Sequence, residues 1–175
     1  MRSFGAPVLQ AEMVHYSHHL HQHPEAGFEE FKTSAFIARW LEELGLSVRQ
    51  IGGTGLVASL SCGSGTGAIG LRADMDALYI TEAAADRPYT SARLCRMHAC
   101  GHDGHMAMLL GAVHLHTGGK DFDGTVRFVS MTACLSAFPS MRSTRYALSL
   151  YDFNDSILGL GAACFASIVR TRLPA

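Results

Sequence analysis

The spacing of hydrophobic positions changes several times along the chain, and each change marks an element. From about Pro7 to Gln22 apolar residues recur at steps of three and four, at Leu9, Met13, Tyr16 and Leu20, which predicts a helix. His23-Pro24-Glu25 ends it, because a residue before proline is pushed out of the α region. A second helix is predicted from about Phe28 to Leu44, with Phe28, Phe31, Ala35, Ile37, Trp40, Leu41 and Leu44 on one broad stripe and Gly45 at the position after its end. The period then shortens. Leu46–Ile51 and Leu56–Leu60 read as strands with Gly52, Gly53 and Gly55 between them. Ala68–Arg72 reads as a short buried strand that ends at Asp74-Met75-Asp76. After a looser stretch from Thr81 to Met97, a third helix is predicted over about Gly104–His116, and Thr125–Val129 is a β-branched strand after a turn at Asp121–Gly124. Helices alternating with buried strands predict an α/β fold, helices packed on a mainly parallel sheet.

The pattern weakens after Val129, and a boundary is placed at Ser130. Residues 130–175 hold no His, Glu or Lys and are rich in Ser, Ala and Leu. Ile157–Val169 is the longest apolar run, too short to span a bilayer comfortably; it reads as a buried helix or strand, or as sequence that folds poorly, and Gly159 and Gly161 argue against a firm helix. This tail is expected to add little stability, and its apolar run to promote aggregation.

Composition narrows the class. With 48% hydrophobic and 17% charged residues the chain can build a core. A formal net charge of −1 gives no field to attract nucleic acid or an anionic membrane. The start has no apolar signal segment, and the five cysteines (62, 95, 100, 134 and 164) are odd in number and irregular in spacing, so reduced thiols and a cytoplasmic setting are expected. Ten histidines stand out.

The densest chemistry is His98-Ala-Cys100-Gly-His102-Asp103-Gly-His105. Imidazole and thiolate are common ligands for zinc and its neighbours. Cys100 and His102 are the candidate ligands, with glycine between them to let the backbone wrap close, and Asp74, Asp103 and His105 can add a ligand or a supporting hydrogen bond. A following helix would favour a thiolate at Cys100. On spacing alone, a histidine-rich loop with one buried cysteine is an equal reading. Asp74 and Asp76 shift that balance, since open α/β sheets place their sites at strand ends, although Asp76 taken alone reads better as a solvated turn. Elsewhere, His15, His18, His19 and His21 read as a solvated helix face, although His15 and His19 are spaced to clamp a metal. His114 and His116 read as surface residues, and Glu29, Glu30, Glu42 and Glu43 as solvating charges. The glycines at 63, 65 and 67 lack the Gly-Lys-Ser of a phosphate loop.

Three segments, Leu20-His-Gln-His-Pro-Glu25, Gly70-Leu-Arg-Ala-Asp-Met-Asp-Ala-Leu78 and Met97-His-Ala-Cys-Gly-His-Asp-Gly-His105, resemble in order those of the M20 metallopeptidase family, in its hippurate hydrolase and indoleacetyl-amino-acid hydrolase branch. The resemblance covers about residues 10–129. It implies the amino-terminal part of a two-metal catalytic domain, with Cys100 and His102 as metal ligands and Asp76 as the acid that orients a ligand. It implies zinc, manganese or cobalt as cofactor, a small N-acyl amino acid as substrate, and a smaller inserted domain for dimer contacts. Metal-assisted amide hydrolysis with a glutamate base would follow.

The chain departs from that pattern after Val129. A Gln-Pro-Ala-Glu-Glu segment, holding the base and a further ligand, is expected there; the sequence reads Ser130-Met-Thr-Ala-Cys134 instead, with no later Glu or His. Tyr79 also stands where proline is usual. The tail reads as a frameshift, a splice product or a variant extension. The expectation is an amidohydrolase by descent that is inactive as this chain and does not form the dimer interface of the intact family. The alternatives are a non-catalytic remnant or pseudoenzyme with residual metal binding, or a reading frame that makes little stable protein.

Overall fold

The computed structural model describes residues 6–83, 86–132 and 149–175. Helix α1 runs over Ala6–Gln22 and α2 over Phe31–Glu43. Strands β1 (Val48–Ile51), β2 (Gly55–Cys62) and β3 (Ala68–Ala73) follow, then α3 (His102–Gly119), β4 (Gly124–Ser130) and α4 (Leu158–Arg172). A short 3₁₀ turn, Asp155–Ile157, leads into α4.

Local chemistry accounts for the boundaries. Gly45 takes φ +85° after α2, as its place after the last apolar residue predicts. The second helix starts three residues later than expected, because Phe28 has φ +66° and Glu29 N–H closes a turn onto the Ala26 carbonyl at 2.9 Å. Glu25 then accepts a hydrogen bond from Thr33 N–H at 2.8 Å and so satisfies a free amide in the first turn of α2. The His-Pro-Glu segment thus ends one helix, as its proline predicts, and also starts the next. Glu30 is not a solvating charge: it is fully buried and accepts hydrogen bonds from Thr54 Oγ1 and Thr132 Oγ1.

The fold is α/β. Its sheet has the order β1-β2-β4-β3 and is mixed rather than mainly parallel. Gly52 and Gly53, both at positive φ, close β1 and β2 into an antiparallel hairpin, and β2 also pairs antiparallel with β4. Only β3 and β4 are parallel, since α3 carries the chain back between them. Along β4, Val126 and Phe128 are buried while Arg127 is exposed, so one face of the sheet lies on the helices.

Helix α3 lies at the centre of the helical layer. His114 and His116 are not surface residues: both are buried, because α3 meets protein on opposite faces. His116 is fully enclosed, its ring edge-on to Phe122 at 5.3 Å and its Nδ1 3.6 Å from Asp121 Oδ1. Helix α4 covers another side of α3. Leu158, Ala162, Ala166 and Val169 form its buried stripe, and Leu158, Ala162, Val169 and the following Leu173 join the core that contains Met13, Leu109 and Leu110. Helix α4 is therefore part of the core rather than an addition to it. Its glycines serve contact: a Cβ at Gly161 would strike Met108, and Gly159 N–H donates to Gln10 Oε1 at 3.0 Å. No helix among the described residues is long and apolar enough to cross a membrane.

Leu158 is fully buried and Leu160, two residues on, is 72% exposed. Leu158→Ala is expected to cost about 2–5 kcal/mol in urea unfolding, and Leu160→Ala to stay within about 0.5 kcal/mol. Burial also lowers the His116 pKa, opposed by Asp121. The unfolded chain then takes up a proton that the folded chain refuses, so stability falls as pH drops below about 6.5. In His116→Leu the loss of melting temperature between about pH 7 and pH 5 should be smaller than in the parent chain.

Candidate metal centre

Two backbone contacts assemble the site. After β3 the chain passes through Asp74, the fully buried Met75 and Asp76, and Ala77 N–H then donates to the Glu25 carbonyl at 2.8 Å. Leu78 and Met97 exchange hydrogen bonds of 2.9 and 3.0 Å, which bring the histidine-rich turn alongside the Asp74–Asp76 segment. Gly101, at φ +75°, swings the chain into α3. Cys100 and His102 therefore stand at the amino-terminal end of α3 and not at strand ends, while Asp74 and Asp76 do follow a strand.

His102 and Asp76 meet. His102 Nδ1 lies 2.8 Å from the Asp76 carbonyl oxygen and 3.2 Å from Asp76 Oδ1, with Asp76 buried. Because Nδ1–H donates to these oxygens, Nε2 is left as the acceptor nitrogen. Burial opposes protonation of His102, but the Asp76 hydrogen bonds and charge raise its pKa overall. Asp74 is half-buried and paired with Arg72. His105 is exposed, with its ring 5.8 Å from that of His102 and its pKa lowered by burial and by His102.

Cys100 differs from expectation. Its thiol is at the exposed end of the turn, yet partial burial and the charges of Asp76 and Asp74 raise its pKa. The carboxylates thus oppose the helix end that was expected to favour a thiolate.

Asp103 is fully buried. Burial would raise its pKa, but a 2.7 Å hydrogen bond from His21 Nδ1, the nearby His98 and the Gly104 N–H at 2.9 Å together hold it below the usual carboxylate range. His21 is not on a solvated face. It is enclosed, with Nε2 3.2 Å from Glu82 Oε1, and its two carboxylate partners outweigh the effect of burial and raise its pKa. His98 is also enclosed, with no hydrogen bond to either ring nitrogen among the described residues, and burial takes its pKa down to about 4. Of the remaining first-helix histidines, His15 is exposed, while His18 contacts Asp155 Oδ2 at 2.7 Å and stacks on Tyr89.

The tail reaches this centre. Arg87 donates to the carbonyls of Leu150 and Tyr151 at 3.1 and 2.8 Å, and Tyr89 O–H reaches Asp152. Tyr151 packs against Gly101 and Phe153 against Gly104. The sequence pattern did not single out His21, Glu82, Arg87 or Tyr151 for this centre. Only His21 gave a signal, through its place in a motif.

Cys100 and the Nε2 of His102 are donors of the right chemistry for a zinc-like ion, and the Asp76–His102 contact is the usual support for a ligating imidazole. Among the described residues no three His, Cys, Asp or Glu side chains form a group that could hold a metal ion.

Comparison with known proteins gives the chain a family. Residues 70–133, which carry Asp74, Asp76 and the whole histidine turn, match the model of peptidase family M20/M25/M40. Hippurate hydrolase of Campylobacter jejuni is 43% identical over 119 residues, 67% of this chain and 30% of that protein. The chain belongs to the M20 peptidase family. A second relative, N-acetyl-L-cysteine deacetylase of Bacillus subtilis, is 42% identical over 128 residues, covering 72% of this chain and 30% of its own length. The crystal structure of a dinuclear metal-binding M20 peptidase from Bacillus subtilis superposes with a TM-score of 0.69 at 35% identity, over 73% of this chain and 36% of that one. This M20 chain thus spans about 30% of the length of the curated relatives it matches.

The two glycines of the turn make separable demands. Gly104 has no positive φ, and the three atoms nearest an added Cβ all belong to Phe153. Gly104→Ala should lower the melting temperature alone. In a Phe153→Ala background it should stabilise by about 1 kcal/mol, the helix preference for alanine. Gly101→Ala should destabilise in both backgrounds by about 1–2 kcal/mol, because its φ is positive.

Proposed function

We propose that this chain carries one flank of the metal centre of an amidohydrolase that cleaves the amide bond of N-acyl amino acids. The observation that carries the reading is the pairing of His102 Nδ1 with Asp76, which leaves Nε2 for a metal and gives Asp76 the task of orienting that ligand. Cys100 and His102 are the ligands in this reading. Asp74 and His105 border them, and Asp103 supports the turn from behind. The relatives named for hippurate and for N-acetyl-L-cysteine support an N-acyl amino acid as the substrate class. Zinc, manganese or cobalt suits a thiolate, imidazole and carboxylate set.

A bound divalent ion would supply polarisation of the amide carbonyl and activation of water. The chain's own residues position the ligands. Asp76 holds His102 in one tautomer, Gly101 aims the turn, and the Tyr151–Phe153 segment covers its glycines. No glutamate follows Glu82 in the 175 residues, so the general base of the family pattern and its later ligands have no counterpart here. We place residues 130–175 outside that pattern, with the family's dimer interface not formed and a cytoplasmic setting suited to the unpaired thiols. A non-catalytic remnant that keeps weak metal binding is the competing reading, and the same donors would serve it.

The 175-residue chain is expected to show no hydrolysis of hippurate or N-acetylcysteine above buffer with zinc, manganese or cobalt, followed by amine release. Loss of a general base alone is typically worth about 10²–10⁴ in rate. Turnover that Cys100→Ala abolishes would overturn the inactive reading and make the chain an enzyme.

A further inference from the structure

His21 ties three separate pieces of the molecule together at one point. It comes from the last turn of α1, Asp103 from the first turn of α3, and Glu82 from the connection after β3. Its Nδ1 contacts Asp103 Oδ2 at 2.7 Å and its Nε2 contacts Glu82 Oε1 at 3.2 Å, with all three side chains at most 2% exposed. The partners of both ring nitrogens are carboxylates, so both nitrogens donate. Glu82 is fixed in turn by Ser91 N–H at 2.6 Å and lies 3.5 Å from Arg87 Nη1. The second oxygen of Asp103 takes the Gly104 N–H. Asp103 is thus gripped by its own helix on one side and by α1 on the other. His102 precedes it directly, and Gly101 has no Cβ to limit its backbone. Left to themselves, the glycine turn and its ligands have many poses. The grip on Asp103 selects one.

We propose that His21 is a positioning residue for the metal ligands: through its Nδ1–Asp103 bond it sets the pose of Cys100 and His102, while its Nε2–Glu82 bond only anchors the imidazole. This rests on the reading of Cys100 and His102 as ligands.

The two halves of the imidazole can be tested apart. Asparagine places an amide N–H near the position of Nδ1, and glutamine places one near that of Nε2. Cadmium is titrated into the full chain, followed by the ultraviolet absorption of the thiolate–cadmium bond, with thermal melting measured in parallel. His21→Asn should keep the parent affinity, and His21→Gln should weaken it about tenfold or more, the usual size of a supporting-shell effect. Both should melt at lower temperature. Equal affinities in the two variants, weakened or not, would overturn the proposal, because a purely structural histidine predicts no difference between them. Should either variant fail to fold, Asp103→Asn and Glu82→Gln ask the same question from the partners' side. Weaker cadmium binding confined to Asp103→Asn supports the proposal, and equal effects overturn it. A cadmium signal that persists unchanged in Cys100→Ser would instead sink the ligand reading itself.

Discussion

An apolar helix buried on opposite faces needs cover on each of them, and α3 imposes that requirement on the whole molecule. Its buried set includes Met106, Leu109, Leu110, Val113, His114 and His116, which cannot share one face. The sheet meets it through β3 and β4, α1 through Met13, and α4 through Ala162. The approach is close: a Cβ on Gly111 would strike both Met13 and Ala162. Interiors are packed at crystal-like density, so these contacts fix the three helices relative to one another. The carboxyl end of α1 is thereby held beside the amino end of α3, where His21 meets Asp103.

The centre is a balance of buried charge. Asp76, Asp103, His21 and His98 are all enclosed. Burying a lone ion is costly, and two solutions occur side by side. Asp103, His21 and Glu82 share charge through paired hydrogen bonds, whereas His98 stays neutral. At Cys100 partial burial, with the charges of Asp76 and Asp74, raises the pKa of the thiol, and a cation that binds sulfur competes with its proton.

Much of this was legible from spacing. The first helix, the strands and α3 fell within a few residues of their predicted bounds, because each had a clean period or a glycine at its end. The proximity of Asp76 to the histidine turn was legible from motif order and from the strand-end rule. Other features depended on neighbours that the local pattern does not reveal. His21 and His116 look like any helix histidine until a second layer covers them. Helix α4 hid because its stripe uses Ala162 and Ala166, which carry little hydrophobic signal, and because Gly161 reads as a breaker when it is a contact. The mixed sheet hid because a glycine hairpin specifies how β1 meets β2, but nothing local specifies that β2 lies beside β4. The segment where the expected glutamates would fall continues from Thr132 beyond the described residues.

The order in which the chain is made gives the α1–α4 contact a further meaning. Gln10 bonds to the Asp155 carbonyl and His18 to its carboxylate, across 145 and 137 residues. Such distant closures are slow to form, since the loop between must first be ordered. During synthesis α1 emerges well before α4, so the side of α1 that meets α4 waits until the residues between them have been made. Over that interval a nascent chain exposes Leu9 and Met13, apolar surface of the kind that makes incomplete chains prone to aggregate.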